Sequence, residues 1–290
     1  MNDRIALGTA QFGLPYGISN TEGQPPRSEC KAILEYASAQ GIQMLDTAIA
    51  YGESERTLGS LGMNDWQVIT KLPELPDGVV DVGRWVDLQL TGALDRLRIQ
   101  FVQGLLLHRP DQLASQQGQA LYAALTEQQV RGRVAKIGIS IYSPDELDRI
   151  PPTMRFDIVQ APFNILDRRM VLSGWADRLA QRGTEFHARS IFLQGLLLMS
   201  RRTRPKQFER WQTLWNTWES WLQTQQLSPL EACLNYALRT SQISRLIIGV
   251  NSLPQLREIL ASIRGDVPDP PANLIAHDTT LLNPGLWNPT

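Results

Sequence analysis

The stretch Ser28-Glu29-Cys30-Lys31-Ala32-Ile33-Leu34-Glu35-Tyr36-Ala37-Ser38-Ala39-Gln40-Gly41-Ile42-Gln43-Met44-Leu45-Asp46 contains a helix, a stop and a strand in immediate succession. Cys30, Ile33, Leu34 and Ala37 fall on one face at helical spacing, and Ser28 stands where a helix cap is wanted. Gly41 ends the helix, and Ile42 to Asp46 reads as a strand that stops on a carboxylate. Glycine between a helix and a strand marks an α-to-β connection. The same punctuation returns at Gly132 before Val134-Ala135-Lys136-Ile137-Gly138-Ile139, and at Gly183 before Thr184-Glu185-Phe186-His187-Ala188. Further apolar runs at Ile5–Leu7, Gln67–Thr70, Val102–Leu107, Phe156–Val159 and Leu246–Ile248 bring the strands to eight. They are apolar on both faces, as strands of a covered parallel sheet are. Strict alternation with helices over 290 residues predicts a closed (β/α)8 TIM barrel, one domain spanning 1–290. No Gly-x-Gly-x-x-Gly follows an early strand, which speaks against a Rossmann domain.

The segment between Ile191 and Ser228 is too long for a plain loop, so an extra helix is expected over Gln207 to Gln226, between the seventh strand and its helix. Trp211, Trp215, Trp218 and Trp221 share one face of it as a packing stripe. Arg201, Arg202, Arg204 and Lys206 read as a solvated basic face.

Composition narrows the functional classes. Hydrophobic residues make up 42% of the chain and charged residues 20%, a balance that supports a large core. With 28 basic and 29 acidic residues there is no charge excess to attract nucleic acid or an anionic membrane. Cys30 and Cys233 read as buried free thiols, the N-terminus lacks an apolar leader, and no stretch reaches membrane-spanning length. A cytoplasmic location is expected. Three histidines without a His-x-His or His-x-x-x-His pair give no metal site.

In a barrel of this kind the reactive side chains project from the carboxyl ends of the strands. Those ends carry Asp46, Lys71, His108, Ser140, Gln160 and the pair Arg189-Ser190. Free tyrosine, with a pKa of about 10, is a weak acid at neutral pH, and a neighbouring lysine ammonium stabilises its phenolate. Asp46 can hold Lys71 in place, Tyr51 can donate a proton, and His108 can donate to the same oxygen. Taken singly, each has an ordinary account: Asp46–Lys71 as a buried salt bridge, Tyr51 as a loop residue, His108 as a rim histidine. On successive strand ends, a tyrosine-centred general acid explains them together.

Leu45-Asp46-Thr47-Ala48-Ile49-Ala50-Tyr51-Gly52-Glu53-Ser54-Glu55, with Leu7-Gly8-Thr9-Ala10, Ile69-Thr70-Lys71 and Leu107-His108, closely resembles the aldo-keto reductases. Gly138-Ile139-Ser140, Val159-Gln160-Ala161-Pro162-Phe163-Asn164, Ala188-Arg189-Ser190, Gln194-Gly195-Leu196-Leu197 and Ile248-Gly249-Val250 extend the likeness over nearly the whole chain. The resemblance implies reduction of a small aldehyde or ketone by a nicotinamide cofactor, with Asp46, Tyr51, Lys71 and His108 as the catalytic set. It further implies that Ser140 and Gln160 hold the nicotinamide carboxamide. Gln194 and Gly195, and the stretch through Gly249, Asn251, Ser252 and Gln255, would meet the diphosphate and the adenosine ribose. Three positions depart from the pattern. Ile141 stands where an asparagine is common, and Arg189 where many members stack a tyrosine on the nicotinamide. Gly249 and Gln255 replace the basic residues that grip the NADP 2′-phosphate.

NADPH is nevertheless expected to be preferred to NADH, narrowly. Ser252 and Gln255 can form a capping box, and the helix start offers amide donors to an anion, while Arg257 should face away. Arg109, next to His108, suggests polar carbonyl substrates. Two alternatives remain open at this point: a Schiff-base aldolase using Lys71, and a non-catalytic NADPH-binding regulatory barrel.

Overall fold

The computed structural model describes residues 2–265 and 267–287. Its strands are β1 (Ile5–Gly8), β2 (Met44–Asp46), β3 (Gln67–Leu72) and β4 (Val102–Leu107), then β5 (Val134–Ser140), β6 (Ile158–Pro162), β7 (Glu185–Arg189) and β8 (Ile243–Gly249). All pair in parallel and in chain order, and β8 returns to β1 through Ile5↔Leu246 and Gly8↔Gly249, which closes the barrel. The (β/α)8 architecture expected from the sequence is the one observed.

The outer helices are α1 (Arg27–Ala39), α2 (Ser54–Leu61), α3 (Val82–Leu97), α4 (Gly118–Val130), α5 (Asp145–Arg149), α6 (Arg169–Leu172) and α7 (Trp175–Gln181). They continue with α8 (Gln212–Gln225), α9 (Pro229–Arg239), α10 (Leu253–Ala261) and α11 (Thr279–Leu282). Among the described residues, no helix is long and apolar enough to cross a membrane.

The opening stretch shows where the sequence reading needs correction. Cys30, Ile33, Leu34 and Ala37 are buried against the barrel as anticipated, but Ser28 does not cap α1. Pro26 does so through its carbonyl, which accepts from the N–H groups of Glu29 and Cys30, and Ser28 lies inside the first turn. Gly41 takes a left-handed φ of 81°, open to glycine at no steric cost. Ile42 is buried in the turn, its N–H donating to the Ala37 carbonyl at 3.0 Å, so β2 begins only at Met44. β6 likewise runs later than expected, which puts Gln160 inside the strand.

The extra helix is α8, preceded by a tight turn at Lys206–Trp211. Trp215, Trp218 and Trp221 are buried, and the Trp215 indole N–H donates to the Phe208 carbonyl at 2.8 Å, the partner a buried indole needs. Trp211 sits before the helix, half-buried. The basic cluster divides: Arg201 and Arg202 are exposed, whereas the Arg204 guanidinium lies over Trp215 at 4.1 Å and pairs with Glu219. Cys30 and Cys233 are buried free thiols.

Two layers fill the barrel below the carboxyl ends of its strands. Ala6, Met44, Ile69, Leu106, Ile158 and Ile247 form an apolar plate. Gly104 makes room for it: a Cβ there would stand 2.6 Å from the Ile69 Cδ1. Lower still, Lys136 is paired with Glu185, whose other oxygen accepts from the His187 Nε2 at 2.9 Å. That bond, reinforced by Lys136 against the opposing effect of burial, pulls the Glu185 carboxyl down to about 2. Its folded value lies below the ordinary carboxylate value, so its contribution to stability is complete above about pH 4.5 and disappears as pH falls toward 2. Glu185→Gln should therefore cost on the order of 2 kcal/mol in urea unfolding at pH 7 and progressively less below pH 4.5. A penalty that stays constant down to pH 3 would show that the carboxylate is not what holds this layer.

Candidate active site

Asp46 ends β2, Lys71 lies in β3, His108 follows β4, Ser140 ends β5, Gln160 lies in β6 and Arg189 ends β7. Parallel strands deliver all six to one end of the barrel. Four are joined in a buried chain. The Lys71 ammonium donates to the Asp46 Oδ1 at 2.6 Å and to the Thr47 carbonyl at 2.8 Å. The Gln160 amide donates to the Asp46 Oδ2 at 2.7 Å, and its carbonyl accepts from the Ser140 hydroxyl at 3.3 Å. Lys71 is wholly buried and Asp46 is 4% exposed, so the pair survives only because both partners are present. Ser140 and Gln160, expected to hold a carboxamide, are thus also wired to the ion pair. The Gln160 amide group keeps one N–H beyond its bond to Asp46.

Tyr51 sits in the turn between β2 and α2. Gly52, with φ 54°, lets that turn press on the loop after β1, where a Cβ would stand 2.5 Å from the Gly13 carbonyl. Beneath it, the Ser54 hydroxyl donates to the Thr9 carbonyl at 2.7 Å and lies 3.1 Å from the Thr47 hydroxyl. Glu55, also buried, accepts from the Thr70 hydroxyl at 2.6 Å and from the Arg96 Nε at 2.7 Å. The Ser54-Glu55 part of the motif therefore staples the tyrosine turn to β1, β3 and α3. Their motif position was the available signal, but the sequence reading gave these side chains no role.

The Lys71 Nζ lies 5.0 Å from the centroid of the Tyr51 ring, and the His108 ring meets the same ring edge-on at 5.7 Å. Burial raises the Tyr51 phenol above its ordinary value and the Asp46 carboxylate adds to this, with Arg189 opposing. Asp46 bonds Lys71 at 2.6 Å, so the resting phenol meets an ion pair in a dry site, with the ammonium still held beside its ring. Burial also pulls Lys71 below the ordinary lysine value, and Asp46 opposes that shift. His108 is pushed down to about 3 by burial and by the cations Lys71, Arg189 and Arg109. The arrangement is a protonated phenol beside a neutral imidazole, both proton donors at neutral pH.

Arg189 rests on the Tyr142 ring at 4.5 Å and donates to the Ile141 carbonyl at 2.9 Å and toward the Ser190 hydroxyl at 3.3 Å. Among the described residues it has no carboxylate partner. Ser190, Gln194 and Gly195 have positive φ, so this turn is strained where it crosses the barrel mouth. The Gln194 amide donates to the Tyr16 hydroxyl at 3.1 Å, which ties the loop after β7 to the loop after β1. Gly249 ends β8 against Gln11, where a Cβ would stand 2.5 Å from the Gln11 amide nitrogen. Gln11 and Tyr142 were not anticipated as members of the rim. Arg109 is exposed beside His108.

At the start of α10 the Ser252 hydroxyl accepts from the Gln255 N–H at 3.5 Å, but the expected capping box closes only on this side. The Gln255 side chain accepts instead from the Asn251 N–H at 2.8 Å. Glu29, reaching over from α1, accepts from the Leu253 N–H at 2.6 Å. The Asn251 Oδ1 is buried without a partner. Arg257 faces away as expected, over the Tyr36 ring at 5.2 Å.

The site fits a nicotinamide dinucleotide in two respects. Ser140 and Gln160 offer a hydroxyl and an amide of the kind a carboxamide needs, and Asn251 carries a buried acceptor with no partner among the described residues.

Residues 4–269 match the model of the aldo/keto reductase family. Over 179 residues the chain is 26% identical to the aldo-keto reductase YhdN of Bacillus subtilis (strain 168), covering 58% of this chain and 52% of that protein. It thus spans about half the length of that curated relative. The holo form of the aldo-keto reductase AKR11C1 from Bacillus halodurans superposes with a TM-score of 0.69 at 18% identity, over 96% of this chain and 90% of that one.

Proposed function

Because the chain belongs to the aldo/keto reductase family, we propose that it is an oxidoreductase that reduces an aldehyde or ketone to an alcohol. The observation that carries this reading is the Asp46–Lys71 ion pair set against the face of Tyr51, with neutral His108 at the ring's edge. A bound nicotinamide supplies the hydride. Tyr51 gives its phenolic proton to the carbonyl oxygen as that oxygen gains charge, and Lys71 stabilises the phenolate left behind. Asp46 keeps Lys71 charged and aimed. His108 donates its single N–H to the same oxygen and orients the carbonyl. Ser140 and Gln160 would hold the carboxamide, with Arg189 beside them; Ser190, Gln194, Gly195, Gly249, Asn251, Ser252 and Gln255 would hold the rest of the cofactor.

Two other readings are weaker. A Schiff-base nucleophile must be uncharged with its lone pair free, whereas Lys71 donates to the Asp46 carboxylate at 2.6 Å and to the Thr47 carbonyl at 2.8 Å. A regulatory barrel that only binds cofactor has no use for a buried acid with its ion pair.

The test is oxidation of reduced cofactor, followed by absorbance, against a panel of aldehydes, ketones and sugar carbonyls. No turnover with any of them would overturn the proposal. Within the panel, carbonyls bearing hydroxyl or carboxylate groups should lead, because Arg109 stands at the mouth beside His108. Arg109→Leu should lower kcat/KM for carboxylated members by about ten-fold and leave the aliphatic ones unchanged. An unaltered ranking in the Leu variant removes Arg109 from substrate choice.

A further inference from the structure

Arg189, the last residue of β7, donates to the Ile141 carbonyl at 2.9 Å. Ile141 comes just after β5, and β6 stands between β5 and β7 in the barrel. A β7 side chain that makes this bond has to cross the end of β6, the strand that carries Gln160. The guanidinium therefore lies beside the Ser140–Gln160 pair. The Tyr142 ring at 4.5 Å and the Ser190 hydroxyl at 3.3 Å hold it there.

Its charge has no counter-ion at hand. The carboxylates of the neighbouring loops are engaged elsewhere: Asp167 with Arg169 at 2.7 Å, and Glu146 with the N–H groups of Tyr142 and Ser143 at 2.6 and 2.8 Å. Asp46 is taken by Lys71. The unmatched cation is felt across the site. His108 is pushed down by burial, by Lys71 and then by Arg189. Lys71 is lowered by burial, with Asp46 opposing and Arg189 adding to the effect. At Tyr51 the guanidinium works against burial and Asp46. A nicotinamide that reduces a carbonyl held by Tyr51 and His108 stands within the same range. Satisfying the Ile141 carbonyl alone needs only a neutral donor, so the positive charge is the feature that calls for an account.

A reduced nicotinamide ring is neutral. When its C4–H bond breaks and the hydride passes to the carbonyl carbon, the ring is left with a positive charge. In a partly dry site that charge and a fixed guanidinium repel. We infer that Arg189 makes the site discriminate between the two redox forms of its cofactor, holding the neutral reduced ring and disfavouring the cationic oxidised one. The inference rests on the proposed function and extends it: fresh cofactor displaces spent cofactor readily, and accumulated oxidised cofactor inhibits the chain only weakly.

Isothermal titration calorimetry of the wild-type chain with NADPH and NADP⁺, and with NADH and NAD⁺, reads binding without turnover. In whichever pair binds, the reduced form should bind about ten-fold more tightly or better, the scale of one like charge in a partly buried site. Arg189→Gln keeps an amide donor for the Ile141 carbonyl and removes the charge. It should lower that ratio by about ten-fold, mainly by tightening the oxidised form. Arg189→Lys keeps the charge and should keep the ratio. ADP-ribose, which lacks the nicotinamide, should bind all three proteins alike. Circular dichroism of each variant confirms an intact fold. Equal affinity of wild type for the two forms, an unchanged ratio in folded Arg189→Gln, or the same fall in Arg189→Lys overturns the inference and leaves the proposed function standing. Matching losses for ADP-ribose and both cofactor forms in Arg189→Gln assign the guanidinium to the diphosphate and overturn it too. Failure of all four dinucleotides to bind overturns the proposed function itself.

Discussion

Replacing Tyr51 with phenylalanine should reduce carbonyl turnover by about 10²–10⁴-fold, the range general acid catalysis supplies, while cofactor affinity stays within about two-fold. The change deletes one oxygen and keeps the ring that packs edge-on with His108 at 5.7 Å, so the fold has little reason to respond. The expected pH dependence follows from the same surroundings. Burial and Asp46 hold the Tyr51 phenol above its ordinary value, so the proton-donating form persists through neutral and mildly alkaline pH. His108, pushed down to about 3, is already neutral at pH 5. Turnover should therefore show no inflection near the ordinary histidine value of about 6.5. Steady-state rates from pH 5 to 9, for wild type and the Phe variant, test both statements. Near wild-type turnover in Tyr51→Phe would remove the tyrosine from the chemistry, and a limb at pH 6–7 would mean that His108 titrates as an exposed histidine does.

The second large effect is on the ion pair. Lys71→Met leaves the Asp46 carboxylate 4% exposed with only the Gln160 amide beside it. Removing one partner of a buried pair costs roughly 3–5 kcal/mol, and the variant also loses the charge that stabilises the departing phenolate. Asp46→Asn combined with Lys71→Met removes both charges, so most of the stability should return while activity does not. Urea unfolding alongside turnover separates the two contributions. A stable Lys71→Met single variant would mean that Asp46 does not need its cation, and the pair could not then be the electrostatic centre of the site.

The barrel was legible because both its signals are local: apolar runs at regular intervals and glycines where helices give way to strands. The gathering of polar residues at one end was legible for the same reason, since Asp46, Lys71, His108 and Ser140 each close or follow an apolar run. The tryptophan helix could be placed within a few residues from its spacing alone. What escaped depends on distance along the chain. Glu29 and Leu253 meet because α1 packs on α10, and Gln11 meets Gly249 because β8 closes on β1. Neither pairing leaves a mark in its own segment. The direction of the Tyr51 shift escaped for another reason: it depends first on how deeply the phenol is buried and then on the Asp46 carboxylate, and residue order encodes neither. Ser28 misled because a serine before a helical run is a sound cap signal, and Pro26, two residues earlier, had already turned the chain.

Ala6, Met44, Ile69, Leu106, Ile158 and Ile247 seal the barrel beneath Asp46 and Lys71, and none of them can carry a proton. The deeper ionic layer gives no way through, since His187 is bonded to Glu185 on the far side of that seal. On the proposed function, Lys71 and Tyr51 would exchange protons with water only from the mouth side, and a carbonyl compound seated there would cover that entrance. Each substrate would then be closed in with one phenolic proton, and the next would enter only after the alcohol had left. The interval between turnovers would include a recharging step that the solvent controls.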